Sequence, residues 1–386
     1  MKQLPSPFLF LSLAVVCSLS AAKLVATDSQ RLTSQPSPLP LQGLVDAARH
    51  AGDVPALGGV IVRCEGELAF AVSGVTRLGG TQKVDANARF NIGSNAKSML
   101  ASLAATFVQD GRLGWTSTVA DVIGPLMPNL EPTLGRATLS QLLSHRSGLP
   151  GYDTGRQLDS VDVDGATPSA QRLSFARHVL SHSPAYSPDT KFLYSNAGYV
   201  VAGVMLEHIG GAPFEQLMQE RLFRPLGMTA TFGSPVPPPA GQLWGHFTRD
   251  GVQQTYKDVA PAIPAFLQPA GDVSVTMADY GRYLREQLCG LEGRPTRLLT
   301  AATVQTMHAP HGGDSAGMGW GRYELSGRPA SVHVGGTGIF SAFVAVIPGR
   351  DLAVATMINT GSEKGRAAAL ELLRVLAART SVDSLH

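Results

Sequence analysis

Strongly charged stretches are missing from this sequence. Charged residues make up 16% of it and the net charge is +2, with no basic run and no basic patch interleaved with aromatics. The features by which a chain grips nucleic acid are therefore absent. Cysteine is scarce, at three in 386 residues, and none of the three has the spacing to other Cys or His residues that builds a metal site. There is no internal repeat and no low-complexity tract. A phosphate cradle is also lacking, because "GGTG" at Gly335–Gly338 does not belong to a G-x-x-x-x-G-K motif opening a helix. What remains is a chain with 44% hydrophobic residues, a globular composition long enough for one large or two ordinary domains.

The N-terminus carries Lys2 and then "FLFLSLAVVCSLSAA", an apolar run too short to span a bilayer and followed by small residues. That pattern reads as a secretory signal over residues 1–22, with Ser20 and Ala22 meeting the small-x-small rule for cleavage after Ala22. Lipid modification of Cys17 is the rival reading, which bulky Val16 fits poorly. Residues 23–42 are polar and proline-rich, a linker, and 43–386 form the folded body. The expected location is secreted or periplasmic, with no stable membrane anchor. Two cysteines remain in that body. A bridge between them is possible in an exported chain. However, Cys64 ends an apolar strand and Cys289 ends an amphipathic helix, so the reading is two buried thiols.

Along the body, "GLVDAARHA" reads as a helix, and "LGGVIVRC" and "ELAFAVSG" as a hairpin split by "EG". From Met99 the apolar positions share one helical face up to Gly111, which puts Ser94 at a helix N-terminus. The middle is helical with long loops. Gly151–Ala170, poor in large apolar residues, reads as a flexible rim, and Gly233–Pro269 as a second loop. Thr276 with Asp279 three residues on is a capping-box-like start. From Gly317 four β-rich segments follow, then the amphipathic "EKGRAAALELLRVLAART". The expected fold is α+β: one antiparallel sheet flanked by N- and C-terminal helices, with a mostly helical region at roughly 90–270 inserted.

Within "FNIGSNAKSML" a serine and a lysine stand three residues apart, Ser94 and Lys97. The spacing alone proves little, since residues three apart on a helix simply share a face and Ser20–Lys23 repeats it. The chemistry is nonetheless coherent. A serine hydroxyl is a weak nucleophile until a base takes its proton, and a buried lysine with a lowered pKa serves as that base. Free N–H groups at the helix start suit a developing oxyanion. In "FLYSNAGYV", Tyr194 and Asn196 straddle Ser195. A phenol beside an ammonium is expected to have a lowered pKa and to shuttle protons, while Asn196 orients Lys97 and a substrate amide. The bland reading of Asn196 is a helix cap. In "SVHVGGTGIF", His333 ends a β-run, Gly335 and Gly336 leave a strand edge open to substrate, and the Gly336 N–H completes an oxyanion hole. The bland reading of His333 is a histidine beside a hairpin turn. His145, His246 and His308 are further candidates for a catalytic base.

SNAK, then YSN, then HVGG, in that order, resembles the β-lactamase and penicillin-binding-protein-like serine hydrolases, especially their class C branch. "LLSHRSGLPGY", "RPLGMTAT" and "VIPGRDLAVATMIN" look like framework stretches of the same family. The resemblance implies the serine β-lactamase/transpeptidase-like fold across 43–386 as a single catalytic domain. It implies Ser94 as acylated nucleophile, Lys97 and Tyr194 as the proton-transfer pair, and Asn196, His333, Gly335 and Gly336 as substrate-binding residues. It implies no metal and no cofactor, and it makes His145 a structural residue of a framework loop. The departure is His333, where class C β-lactamases have the lysine of Lys-Thr-Gly and peptidase and esterase branches look more like this chain. The implied partner is a small-molecule or peptide substrate: an amide, β-lactam or ester. A penicillin-binding sensor with little turnover is the reading from another class. The sequence leaves the oligomeric state unread.

Overall fold

The structure, a computed structural model, describes residues 40–153, 155–256, 263–325 and 327–379. The residues read as a signal (1–22) and nearly all of those read as a linker (23–42) lie outside the described residues, and the last two, Leu41 and Gln42, already belong to a helix.

The β-rich segments at the two ends of the body assemble into one six-stranded sheet. Its strands are β1 (Ala56–Val62), β2 (Ala69–Gly74), β3 (Gly321–Leu325), β4 (Arg328–Gly336), β5 (Ser341–Ile347) and β6 (Leu352–Ile358). Their order is β2-β1-β6-β5-β4-β3, and every neighbouring pair is antiparallel. Each residue of β1, β5 and β6 is buried, which is why these strands read as unbroken apolar runs rather than as alternating ones. The alternation appears instead in what each face covers. Val60, Val344 and Ala355 join the core under the helical region. Ile61, Ala345 and Val354 join a second core with Val45 and Leu372, under the terminal helices Leu41–Gly52 and Glu363–Ala378. The chain is an α+β fold of the expected kind, with the helical region entering after β2 and leaving before β3.

Three helices of that region position the site: Ala96–Gln109, Pro168–Leu180 and Asn196–Gly210. The last two are tied by Arg172, whose guanidinium is wholly buried and pairs with Glu207 at 2.6 Å and Glu215 at 2.8 Å. Removing one partner of such a pair strands a buried charge and costs about 3–5 kcal/mol.

Three expectations change. The Gly233–Pro269 loop contains a hairpin, His246–Arg249 with Val252–Thr255, and a 3-10 turn from Ala265 to Ala270. Thr276 caps its helix by accepting the Asp279 N–H, but the Asp279 carboxylate accepts from Thr229 and pairs with Arg282 instead of closing a capping box. The third change is that Cys64 and Cys289 are not two separate thiols: they form a disulfide with a Cα–Cα distance of 5.3 Å. Arg285, one turn before Cys289, donates to the carbonyls of Arg63 and Gly66. The helix end is thereby held over the β1–β2 turn, and two cysteines 225 residues apart in sequence meet.

Candidate active site

The segment Phe90–Asn91 pairs with Val273–Val275 as a short strand, and the Ile92 N–H continues the pairing onto Val273 O. Gly93 then takes φ +49° and turns the chain into the helix that starts at Ala96. The Asn91 side chain fixes this turn, accepting the Gly93 N–H at 2.9 Å while donating to Asp272 at 2.7 Å and Ser234 at 2.9 Å. Ser94 thus sits in the first turn of a buried helix, as its sequence position implied.

The end of β4 lies directly against this turn. A Cβ on Gly93 would stand 2.5 Å from Gly336 N, and one on Gly335 would stand 1.9 Å from Ile92 O. Gly335 therefore has a different role from the one expected. Its missing side chain makes room for the serine-bearing turn rather than for substrate. The same contact brings the Gly336 amide against Gly93, the residue before Ser94.

Lys97 follows one turn after Ser94 and is wholly buried. Its Nζ lies 3.2 Å from Ser94 Oγ, 2.7 Å from Asn196 Oδ1 and 2.5 Å from Ala270 O. Burial drives its pKa well below the usual lysine range, partly opposed by the carboxylate of Asp153. A neutral amine has two N–H groups and one lone pair. In its neutral form the amine gives its two N–H groups to the oxygens of Asn196 and Ala270 and turns its lone pair to the Ser94 hydroxyl. Nothing in the sequence marks Ala270, because the group it supplies is a backbone carbonyl.

Tyr194 donates to Ser94 Oγ at 2.7 Å, so the serine oxygen stands between phenol and amine. Lys97 Nζ also lies 4.8 Å from the Tyr194 ring centre. The expected lowering of the phenol pKa does not occur. Burial raises it, the Ser94 hydrogen bond opposes that only in part, and Asp153 adds to the rise. The physical reason is that the phenol is shut away from water, which a phenolate needs far more than a phenol does. Tyr194 is a proton-bearing phenol at neutral pH.

Asn196 opens its helix, yet the cap is its neighbour: Ser195 Oγ accepts the Gly198 N–H. That leaves the Asn196 amide free to accept from Lys97 and to donate to Tyr152 O at 3.1 Å, while its backbone N–H bonds Gly151 O at 2.8 Å. The start of the loop read as a flexible rim is thus pinned to the site.

His333, half-buried on β4, is paired with Val344 of β5. Its Nδ1 lies 3.0 Å from Val334 O and 3.1 Å from Asn95 Oδ1. Both are oxygen acceptors, so Nδ1 carries the proton and Nε2 is left as a lone pair. Burial and then the nearby Lys97 push its pKa down to about 3. The other histidines divide. His246 and His308 are buried away from Ser94, on Asn359 O and Gln287 respectively. His145 is at the site, its ring 4.5 Å from that of Tyr194.

Comparison with known proteins gives the family. The chain is 29% identical over 330 residues to a penicillin-binding protein 4 of Amycolatopsis lactamdurans, covering 82% of this chain and 84% of that one. It is 24% identical over 349 residues to a beta-lactamase of Pseudomonas fluorescens, covering 82% and 91%. Its fold matches the octameric penicillin-binding protein homologue from Pyrococcus abyssi with a TM-score of 0.72 at 20% identity, covering 88% and 77%. The family model described as Beta-lactamase matches residues 41–379, nearly all of the described chain, and the protein belongs to that family of serine hydrolases.

Proposed function

We propose that the protein is an exported hydrolase that cleaves neutral amides or esters through an acyl-enzyme on Ser94. The observation that carries this reading is the Ser94 oxygen held between Tyr194 OH and Lys97 Nζ. Ser94 Oγ attacks the substrate carbonyl carbon as its proton passes to the Lys97 lone pair. The oxyanion is received by the N–H groups of Ser94 and Gly336. When the tetrahedral species collapses, the Tyr194 phenol protonates the leaving nitrogen or oxygen, and the proton held by Lys97 restores the phenol. A water molecule then releases the acid by the same path reversed. Neutral substrates are favoured over penicillins because His333 presents a lone pair, not a charge, where lysine-bearing relatives present an ammonium. The Cys64–Cys289 bridge supports export, since such bonds persist in oxidising compartments.

The test is mass spectrometry after incubation with a penicillin and with 4-nitrophenyl acetate. Released product with a transient adduct on Ser94 supports a hydrolase, and a persistent adduct with no product supports a penicillin sensor instead. Ser94→Ala should abolish labelling by a fluorophosphonate, and Lys97→Ala should lower turnover by at least about a hundredfold, the lower range for losing acid–base catalysis. Labelling that survives in Ser94→Ala refutes the assignment of the nucleophile.

A further inference from the structure

His145 stands where a helix ends. The helix Leu139–Leu143 closes with the Arg146 N–H on Gln141 O at 2.8 Å and the His145 N–H on Leu142 O at 3.4 Å. His145 itself takes φ +61°. This pair of bonds defines the helix-ending turn whose left-handed position is usually filled by glycine. A histidine there bears a steric cost that glycine avoids, and such strain persists where the side chain has a use.

The use is visible in its contacts. His145 Nδ1 accepts the Ser195 N–H at 3.0 Å, and the His145 carbonyl accepts the Leu193 N–H at 2.8 Å. The two bonds fall on either side of Tyr194. The imidazole also lies along the Tyr194 ring, tilted by 33° with centroids 4.5 Å apart, and 5.2 Å from the ring of Tyr199. Ser195 is the N-cap of the following helix, so its N–H has no partner within that helix. His145 supplies that partner.

We propose that His145 is a positioning residue for Tyr194: by holding Leu193 and Ser195 it sets the reach of the phenol to Ser94 Oγ. This rests on the proton-relay reading of Tyr194 given above. An acceptor at Nδ1 requires a neutral ring with its proton on Nε2. Burial holds the His145 pKa well below the usual histidine value, which keeps the ring in that form at neutral pH.

The test separates the acceptor from the backbone. His145→Gly suits the left-handed turn but removes Nδ1. His145→Asn also tolerates positive φ and places an amide oxygen near the position of Nδ1. With 4-nitrophenyl acetate, His145→Gly should lower kcat by about tenfold or more with KM within about twofold, the pattern of a group that acts in the chemical step. Both variants should stay folded at 25 °C, where kcat is read, although His145→Gly melts earlier for the packing it loses, and His145→Asn should recover most of the lost kcat. In a Tyr194→Phe background, His145→Gly should have little further effect, because residues that act through one another are not additive. A wild-type kcat in His145→Gly, or a folded His145→Asn that loses as much kcat as His145→Gly, overturns the proposal. A His145→Gly loss that persists in full in the Tyr194→Phe background overturns it while leaving the relay intact. A wild-type rate in Tyr194→Phe alone removes the relay reading and the proposal with it.

Discussion

Replacing His333 by lysine is the sharpest probe of what this site accepts. An unperturbed histidine near pKa 6.5 is protonated in about one molecule in ten at pH 7.5. With the pKa pushed down to about 3, the ring is neutral at that pH. The site thus has no charge at this position for a substrate carboxylate. A hydrogen bond to a charged group contributes roughly 1.5–3 kcal/mol, against roughly 0.5–1.5 for a neutral pair. The difference of about 1 kcal/mol corresponds to about fivefold in affinity. The burial that depresses His333 also acts on a new ammonium, so fivefold is an upper figure. Penicillin should therefore gain up to about fivefold in kcat/KM in His333→Lys, and 4-nitrophenyl acetate, which has no carboxylate, should be unchanged. The wild-type KM for penicillin should also stay flat from about pH 5.5 to 8, because the neutral ring does not titrate there. Equal changes for both substrates, or a wild-type KM that rises through pH 6–7 as a free histidine would dictate, refutes the reasoning.

Further outcomes follow from other contacts. Reducing the Cys64–Cys289 bond, which closes a loop of 225 residues, should cost up to about 5 kcal/mol on the chain-entropy account. It should lower the melting temperature while leaving the fluorophosphonate labelling of Ser94 intact at 25 °C, and an unchanged melting curve in dithiothreitol counts against the bridge. Gly335→Ala drives a methyl group into Ile92 O and should lose both stability and Ser94 labelling. A fully labelled, normally melting Gly335→Ala protein contradicts the packing described. His246 is buried, accepts the Leu78 N–H on Nε2, and has its pKa lowered by burial to about 4. Between pH 6.5 and 4 the unfolded chain binds the proton that the folded one refuses, so stability falls as the pH drops through this window. His246 alone accounts for about 3 kcal/mol of that fall. Denaturant midpoints that do not decline from pH 7 to 4.5, or that decline equally in His246→Gln, exclude this origin.

The sequence by itself determined the local pieces. Ser94 and Lys97 are three residues apart at the start of an apolar helix, so their shared face follows from helical spacing. Tyr194 and Asn196 flank a residue that caps a helix, and His333 precedes two glycines at the end of a strand. The antiparallel strands and terminal helices were equally legible, because hydrophobic patterning is a property of neighbouring residues. The chemical state of the same groups was decided only by the tertiary structure. Lys97 has its proton affinity driven down by burial, and its N–H groups find oxygens on Asn196 and Ala270, 99 and 173 residues away. Tyr194 keeps its proton because burial disfavours the phenolate. His333 is fixed as a lone-pair acceptor by Asn95, 238 residues distant, and Gly335 serves the serine turn across the same contact. Cys64 found Cys289 because Arg285 holds a helix over a turn. Proton affinities and cross-links depend on which groups share a water-free space, and a linear sequence lists neighbours along the chain rather than across it.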